Sequence, residues 1–189
     1  MKIQVEVSAR HIHISEKDVS VLFGEDFKLT KLKELSQPFE FASNEVLDIE
    51  ANGKRIKNMR IVGPEREKTQ IEISKTDAVY LGINPPLRLS GDVGGSAGIK
   101  MIGPKGELEL SEGVIIAKRH IHCNKNEADS LKIKNNDFVS VKIEGDRVVI
   151  FENVAVRVGD NYKLSMHIDT DEANAAGIDK IGSGIILGI

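Results

Sequence analysis

The tetrapeptide Arg-His-Ile-His occurs twice in the chain, at residues 10–13 and at residues 119–122. Each copy follows an apolar segment rich in β-branched residues, so each is predicted to lie at the end of a β-strand. Because successive side chains of a strand point to opposite faces, the two histidines of each copy share a face. A chain organised around two copies of such a strand end is predicted to contain two related, β-rich halves.

A second alignment extends this repeat. The segment IEISKTDA at residues 71–78 lines up with MHIDTDEA at residues 166–173. Each reads as a strand, a helix N-cap and a short helix that ends at a glycine, Gly82 or Gly177. In this register Glu72 takes the place in the first half that His167 takes in the second. Each half therefore offers a His-x-His pair and one further potential ligand.

Other local signals fit the same mainly β organisation with short α-helices. Ser15 is predicted to be the N-cap of an early helix, and Asn52-Gly53 the turn of a β-hairpin. Residues 84–113 are rich in glycine and proline, which favours short elements and a boundary there. The predicted partition is a first half over 1–88, a Gly- and Pro-rich connection over 89–113, and a second half over 114–189.

The use of histidine points to metal binding. All five histidines of the chain fall in the repeated strand-end positions. Zinc, like cobalt, nickel and iron, accepts imidazole nitrogen and carboxylate oxygen, commonly from three protein residues with one position left open. If the halves pack pseudo-symmetrically, two such sets could form a two-metal centre; the alternative is a group of hydrogen-bonded histidines. The predicted ligand sets are His11, His13 and Glu72, and His120, His122 and His167.

Arg66 precedes Glu72 on a predicted loop. A guanidinium near a metal pair is suited to hold a phosphate or a carboxylate through two hydrogen bonds. The alternative is a surface ion pair with the neighbouring Glu65 or Glu67. The sequence leaves both interpretations open.

Three other side chains adjoin the histidine motifs. Cys123 follows His122, but strand alternation directs it away from the histidine face, which favours a small buried residue over a nucleophile. Arg10 and Arg119 precede the two motifs, and the sequence leaves their roles open. No residue stands out as an activated nucleophile.

Composition narrows the class of protein. The net charge of −3 gives no electrostatic attraction toward nucleic acid or an anionic membrane. The chain has no tryptophan, so it has few aromatic side chains on which nucleic-acid bases could stack. No apolar run approaches the roughly 20 residues of a transmembrane helix. The one cysteine suits a reducing compartment, and the chain begins directly as a strand with no signal peptide. These features predict a soluble cytoplasmic protein.

The motifs together resemble the phosphotransacylase family of propanediol utilisation, the phosphate propanoyltransferases. The resemblance covers essentially the whole chain and rests on several motifs in order. They are residues 8–13 (SARHIH), 63–66 (GPER), 69–72 (TQIE), 90–92 (SGD), 119–122 (RHIH) and 166–174 (MHIDTDEAN).

This resemblance implies a fold of two β-barrel domains with short α-helices and a pair of zinc ions. It implies that the two ligand sets named above each serve one ion, and that Arg66 binds phosphate. Contacts with coenzyme A are implied for Val7, Ser8, Ala9, Arg60, Arg88 and Asn174.

The implied reaction converts a short-chain acyl-CoA, propanoyl-CoA or acetyl-CoA, and phosphate into acyl phosphate and CoA, reversibly. Direct attack by phosphate is favoured over an acyl-enzyme. Two alternatives from other classes remain: a two-metal hydrolase that uses water, and a non-catalytic module in which metal only stabilises the fold. A homo-oligomer is compatible with the sequence. Members packaged in a bacterial microcompartment carry an amphipathic N-terminal extension, which is not seen here, so a free cytosolic enzyme is expected, with the microcompartment lumen as the alternative location.

Overall fold

The computed structural model describes residues 1–188 and is mainly β, with short helices between the strands. The strands are β1 (Lys2–Val7), β2 (His11–His13), β3 (Lys31–Glu34), β4 (Phe41–Ala51), β5 (Lys54–Gly63), β6 (Gln70–Glu72), β7 (Leu87–Arg88), β8 (Ala97–Ile102), β9 (Glu107–Ala117), β10 (His120–Cys123), β11 (Phe138–Ile143), β12 (Ile150–Val158), β13 (Ser165–Ile168) and β14 (Ile181–Gly188). The helices are α1 (Glu16–Phe23), α2 (Lys75–Leu81), α3 (Lys125–Leu131) and α4 (Thr170–Ala176). Among the described residues, none of these helices is long and apolar enough to cross a membrane.

The chain divides into two compact units. The central unit is Arg10–Ala117, and the terminal unit is Met1–Ala9 together with the residues from Lys118 onward. Each unit has its own core of buried aliphatic side chains, with Ile12, Leu47 and Ile71 in the central unit and Val5 and Ile121 in the terminal one. This confirms the predicted mainly β fold built from two related domains.

The terminal unit is a closed barrel with the strand order β1-β13-β10-β12-β11-β14. β1 enters it between β13, to which it is parallel, and β14, to which it is antiparallel. Alternation along β1 buries Ile3 and Val5 and leaves Lys2 and Gln4 exposed, as its sequence pattern predicts.

The central unit closes in the same way. Its strands pair in the ring β4-β5-β2-β6-β9-β8, and β8 returns to β4. Two short strands extend the sheet outside this ring, β3 beside β4 and β7 beside β9. Both units are therefore six-stranded barrels, which agrees with the fold that the family resemblance implies.

The units differ from the expected partition in two respects. β1 pairs within the terminal unit, and the segment 89–113, expected to be a connection, supplies β8 and much of β9. Some glycines in that segment allow close backbone packing: a side chain at Gly98 would collide with the Leu110 carbonyl oxygen of β9, and one at Gly103 with the Leu22 carbonyl oxygen of α1. Glycine content alone does not distinguish a linker from strands that approach closely. A local sequence pattern also does not identify which strands pair with each other.

Helix starts follow their predicted caps. The Ser15 side chain accepts a hydrogen bond from the Asp18 amide at the start of α1. α2 and α4 each begin with a reciprocal capping box and end at a left-handed glycine, Gly82 and Gly177. These caps fix where the chain leaves β6 and β13, the two strands that carry Glu72 and His167.

Candidate metal centre

Strand register brings the first predicted ligand set together. β2 runs antiparallel to β6, so that His11 lies opposite Glu72 and His13 opposite Gln70. The Nε2 atoms of His11 and His13 are 3.1 Å apart. The Glu72 carboxylate oxygens lie 3.6 Å from His11 Nε2 and 3.8 Å from His13 Nε2. Two imidazoles and one carboxylate thus converge on a common point in the central unit.

These separations suit one metal ion. All three ligand atoms lie within 4.8 Å of one another. Ligand atoms about 2.0–2.2 Å from a tetrahedral zinc ion are separated from each other by roughly 3.4 Å, close to the spacings observed. The donor set of two nitrogens and one oxygen is also one that zinc and related transition metals accept.

Burial keeps the His13 imidazole neutral. Its side chain is nearly inaccessible, and burial lowers the pKa of His13 well below the ordinary 6.5. The neighbouring His11 and the Arg66 guanidinium lower that pKa further. Because a metal ligand must offer a lone pair, a histidine that resists protonation is suited to bind one.

The terminal unit repeats this register. β10 runs antiparallel to β13, with His120 opposite His167 and His122 opposite Ser165. The His120 ring centroid lies 4.6 Å from that of His122 and 5.3 Å from that of His167, and the His122 and His167 centroids are 5.1 Å apart. The second predicted set is therefore a cluster of three imidazoles.

His120 has a defined tautomer. Its Nδ1 lies 2.8 Å from the Lys118 carbonyl oxygen, which can only accept, so Nδ1 carries the proton. In the neutral imidazole, the lone pair of His120 is then on Nε2. Fixing a histidine by its second nitrogen in this way is usual for metal ligands. His167 differs in that its Nε2 lies 2.9 Å from the Ser165 hydroxyl.

Arg66 is linked to the first ligand set through polar side chains of the central unit. Its Nη1 donates to the Ser90 hydroxyl and its Nη2 to the Glu40 carboxylate, each at 3.1 Å. Its ion-pair partner is therefore Glu40, rather than the neighbouring Glu65 or Glu67 weighed from the sequence. The Arg66 side chain is 35% exposed, so a small anion can reach it.

Gln70 connects this group to Glu72, the predicted third ligand of the first set. Its buried Nε2 donates to Glu72 Oε1 at 2.7 Å and to the Ser90 hydroxyl at 2.8 Å. The Gly91 amide donates to Gln70 Oε1 at 2.7 Å, which fixes the orientation of the Gln70 amide. Gln70, Ser90 and Glu40 were not assigned roles from the sequence. Two signals were available: Gln70 and Ser90 lie in motifs that carry the family resemblance, and Gln70 lies two residues before Glu72 and so shares its strand face.

The arginines of the two motifs have matching structural partners. Arg10 pairs with Asp77 at 3.2 Å, and Arg119 pairs with Glu172 at 2.6 Å. Both acids belong to the capping boxes of the helices that follow the ligand strands, α2 and α4. Burial raises the pKa of Glu172 in spite of its bond to Arg119. Each arginine thus links its histidine motif to the helix that follows the third predicted ligand.

Cys123 is a buried structural residue. Its side chain has no exposure, and burial raises the pKa of its thiol to about 11. A thiol with such a pKa is overwhelmingly protonated near neutral pH and is a poor nucleophile. This agrees with the expectation from strand alternation.

The residues expected to contact coenzyme A are placed within their own units. In the central unit, Arg60 Nη1 donates to the Ser43 and Asn44 carbonyl oxygens, and Arg88 pairs with Asp92 at 2.7 Å. In the terminal unit, Val7 and Ser8 are half-buried, and Ala9 and Asn174 are exposed. None of these observations assigns a ligand to the residues.

Comparison with known proteins gives consistent matches. The sequence profile described as phosphate propanoyltransferase matches residues 4–179. A phosphate propanoyltransferase of Thermotoga maritima is 50% identical over 173 residues, which are 91% of this chain and 82% of that protein. Those of Lachnoclostridium phytofermentans and Salmonella typhimurium are each 48% identical, over 99% and 94% of this chain and 86% and 84% of their own length. The profile match spans all six predicted metal ligands.

Proposed function

Because the chain belongs to the phosphate propanoyltransferase family, and is therefore an acyltransferase that acts with phosphate, we propose that it exchanges short acyl groups between coenzyme A and phosphate. The proposed substrates are propanoyl-CoA or acetyl-CoA with inorganic phosphate, and the products are acyl phosphate and CoA. We propose that the reaction runs in both directions and takes place in the cytoplasm. The observation that carries this proposal is the convergence of His11, His13 and Glu72 beside Arg66.

We propose that each unit holds one divalent metal ion. His11, His13 and Glu72 would bind the first, supported by ligand-atom separations that suit a single ion. His120, His122 and His167 would bind the second, supported by the repeated register and the defined tautomer of His120. Zinc fits both sets of ligands. When bound, zinc supplies Lewis acidity toward a carbonyl or phosphoryl oxygen and a partner for a thiolate.

Arg66 is the proposed phosphate ligand. Its guanidinium bears a permanent charge and a fork of N–H donors that matches the geometry of phosphate oxygens. Its charge is felt at His13, where it contributes to the lowered pKa, so it lies close enough to act beside the first ligand set. Holding phosphate there would remove much of the entropic barrier to its reaction with a bound thioester.

The proposed chemistry is a direct displacement. A phosphate oxygen forms a bond to the thioester carbonyl carbon, the carbon–sulfur bond breaks, and the coenzyme A thiolate leaves with the electron pair. The burial and high pKa of Cys123 argue against an enzyme thiol as an intermediate acceptor. Isolation of a Cys123 thioester after incubation with acyl-CoA in the absence of phosphate would contradict this mechanism.

Val7, Ser8, Ala9, Arg60, Arg88 and Asn174 are proposed to contact coenzyme A. Arg60 and Arg88 offer cationic groups for its phosphates, although both make hydrogen bonds within the central unit. Arg60→Ala and Arg88→Ala should raise the KM for acyl-CoA and leave the KM for phosphate unchanged. A raised KM for phosphate with an unchanged KM for acyl-CoA would indicate instead that these arginines bind phosphate.

The proposed function is tested by identifying the product. Metal-loaded protein is incubated with propanoyl-CoA and phosphate, and acyl phosphate is trapped with hydroxylamine as the hydroxamate. Hydroxamate formation that requires both substrates supports the transferase. Free propanoate formed at the same rate without phosphate would indicate a hydrolase instead.

A further inference from the structure

Arg66, Ser90 and Glu40 present a mixed pattern of hydrogen-bond donors and acceptors at one place in the central unit. Arg66 donates through Nη1 to Ser90 and through Nη2 to Glu40, each at 3.1 Å. A site for anions in general needs only donors. The carboxylate of Glu40, which can only accept hydrogen bonds when ionised, is therefore not needed for binding anions in general.

Within the described part of the chain, the Ser90 hydroxyl has its one O–H donor left for a ligand. A serine hydroxyl offers two acceptor lone pairs and one O–H donor. Ser90 accepts from Arg66 Nη1 at 3.1 Å and from Gln70 Nε2 at 2.8 Å, so both lone pairs are used. The hydroxyl proton is then directed to a third partner, and an anion oxygen held by Arg66 is a suitable one.

Glu40 supplies the opposite capability. An ionised carboxylate has roughly four acceptor sites and no donor. Within residues 1–188, the side-chain partner of Glu40 is Arg66, and the Glu40 side chain is 35% exposed. Acceptor sites on the carboxylate therefore remain for a hydrogen-bond donor on a ligand.

We propose that Glu40 determines specificity for inorganic phosphate. The Glu40 carboxylate accepts a hydrogen bond from the P–OH group of phosphate, while Arg66 and Ser90 donate hydrogen bonds to the other phosphate oxygens. The inference rests on the proposed function, because it requires phosphate at Arg66. Near neutral pH phosphate carries at least one proton, whereas sulfate, of similar size and shape, carries none. Sulfate would meet the Glu40 carboxylate with like charge and no hydrogen bond to offset it.

The test compares Glu40→Gln with a matched control, Glu67→Gln. Glu67 is exposed and adjoins Arg66 in the sequence, so the control removes the same charge nearby without touching the Arg66–Glu40 pair. A glutamine at position 40 keeps a carbonyl acceptor for P–OH and adds an N–H donor that sulfate can use. The readouts are the KM for phosphate and the inhibition constant for sulfate, measured by thiol release with propanoyl-CoA and metal-loaded protein.

In Glu40→Gln the ratio of the sulfate inhibition constant to the phosphate KM should fall about tenfold or more, the effect of one charge-assisted hydrogen bond. Glu67→Gln should leave this ratio unchanged. Arsenate carries a proton as phosphate does, so its KM should keep a constant proportion to that of phosphate in all three proteins. Calorimetric titration with phosphate and sulfate gives the same ratio if the Glu40 variant turns over slowly.

An unchanged sulfate-to-phosphate ratio in Glu40→Gln would overturn the inference alone, provided that thiol release still depends on phosphate. A lower phosphate KM with an unchanged ratio would likewise overturn it and show that Glu40 merely competes for Arg66. Thiol release that never depends on phosphate, even in the unaltered protein, would overturn the proposed function together with the inference.

Discussion

Glu72 and His167 occupy equivalent positions in the two barrels. Glu72 on β6 lies opposite His11, and His167 on β13 lies opposite His120, both in antiparallel register. The duplication therefore preserves the geometry of three potential ligands while it changes the chemistry of one. Because one set contains a carboxylate and the other a third imidazole, the two proposed metal sites differ in net charge.

Replacement of Glu72 by alanine should remove the metal ion of the central unit. The substitution takes away one of three protein ligands and the only anionic one, so bound metal should fall by about one ion per chain. Metal analysis of the purified variant by mass spectrometry measures this. Glu67→Ala is the control at an exposed position, and equal metal content in both variants would contradict the assigned site.

Replacement of Gln70 by methionine should weaken metal binding without removing a ligand. Gln70 holds Glu72 Oε1 at 2.7 Å, and loss of such an outer hydrogen bond typically costs about 10- to 100-fold in metal affinity. Competition with a chromogenic chelator measures the affinity.

Gln4 provides a matched control for that experiment. Its Nε2 donates to Glu6 at 2.7 Å, the same bond to a glutamate two residues on, but it is exposed on β1. Gln4→Met should leave metal affinity unchanged. If both methionine variants retain full affinity, Gln70 does not position Glu72.

Replacement of Arg66 by alanine should raise the KM for phosphate and lower kcat while bound metal stays the same. Removing a charged donor from the reacting anion should lower kcat/KM by about 100-fold. Steady-state kinetics and metal analysis of the same preparation test this. Arg55→Ala, which breaks an exposed pair with Glu50, is the control. Loss of metal from the Arg66 variant would mean that this arginine has a structural role.

The lowered pKa of His13 predicts a stability effect in metal-free protein. Its folded pKa lies below the ordinary 6.5, so the unfolded chain binds the proton more readily. Its contribution is complete above about pH 6.5 and is lost as the pH falls below that value toward the folded pKa. Urea unfolding between pH 7.5 and 5 should show this decline, and it should be smaller in His13→Gln. Equal declines in both proteins would contradict the pKa shift.

Much of the fold could be predicted, and the two ligand sets could be proposed, because the relevant signals are local or repeated. The helix caps at Ser15, Ser74 and Asp169 depend on neighbours three residues away, so sequence alone identifies them. The two ligand sets became visible because the repeat aligned Glu72 with His167. A motif that occurs twice constrains its partners more than a single copy does.

Contacts between distant segments could not be predicted in this way. Glu40, Arg66 and Ser90 come from three separate segments, and only the closed barrel brings them together. The sequence neighbours Glu65 and Glu67 were therefore the available candidates for pairing with Arg66. Likewise, nothing in the alternation of Lys2–Val7 shows that this strand completes the terminal barrel.

Metal- and phosphate-dependent acyl transfer is tested most directly by thiol release from propanoyl-CoA by metal-loaded protein, measured across a range of phosphate concentrations. We expect release that rises with phosphate to saturation, is negligible without it and disappears when the metal is removed by a chelator. Release at an equal rate without phosphate, or full activity of the metal-free protein, would contradict this expectation.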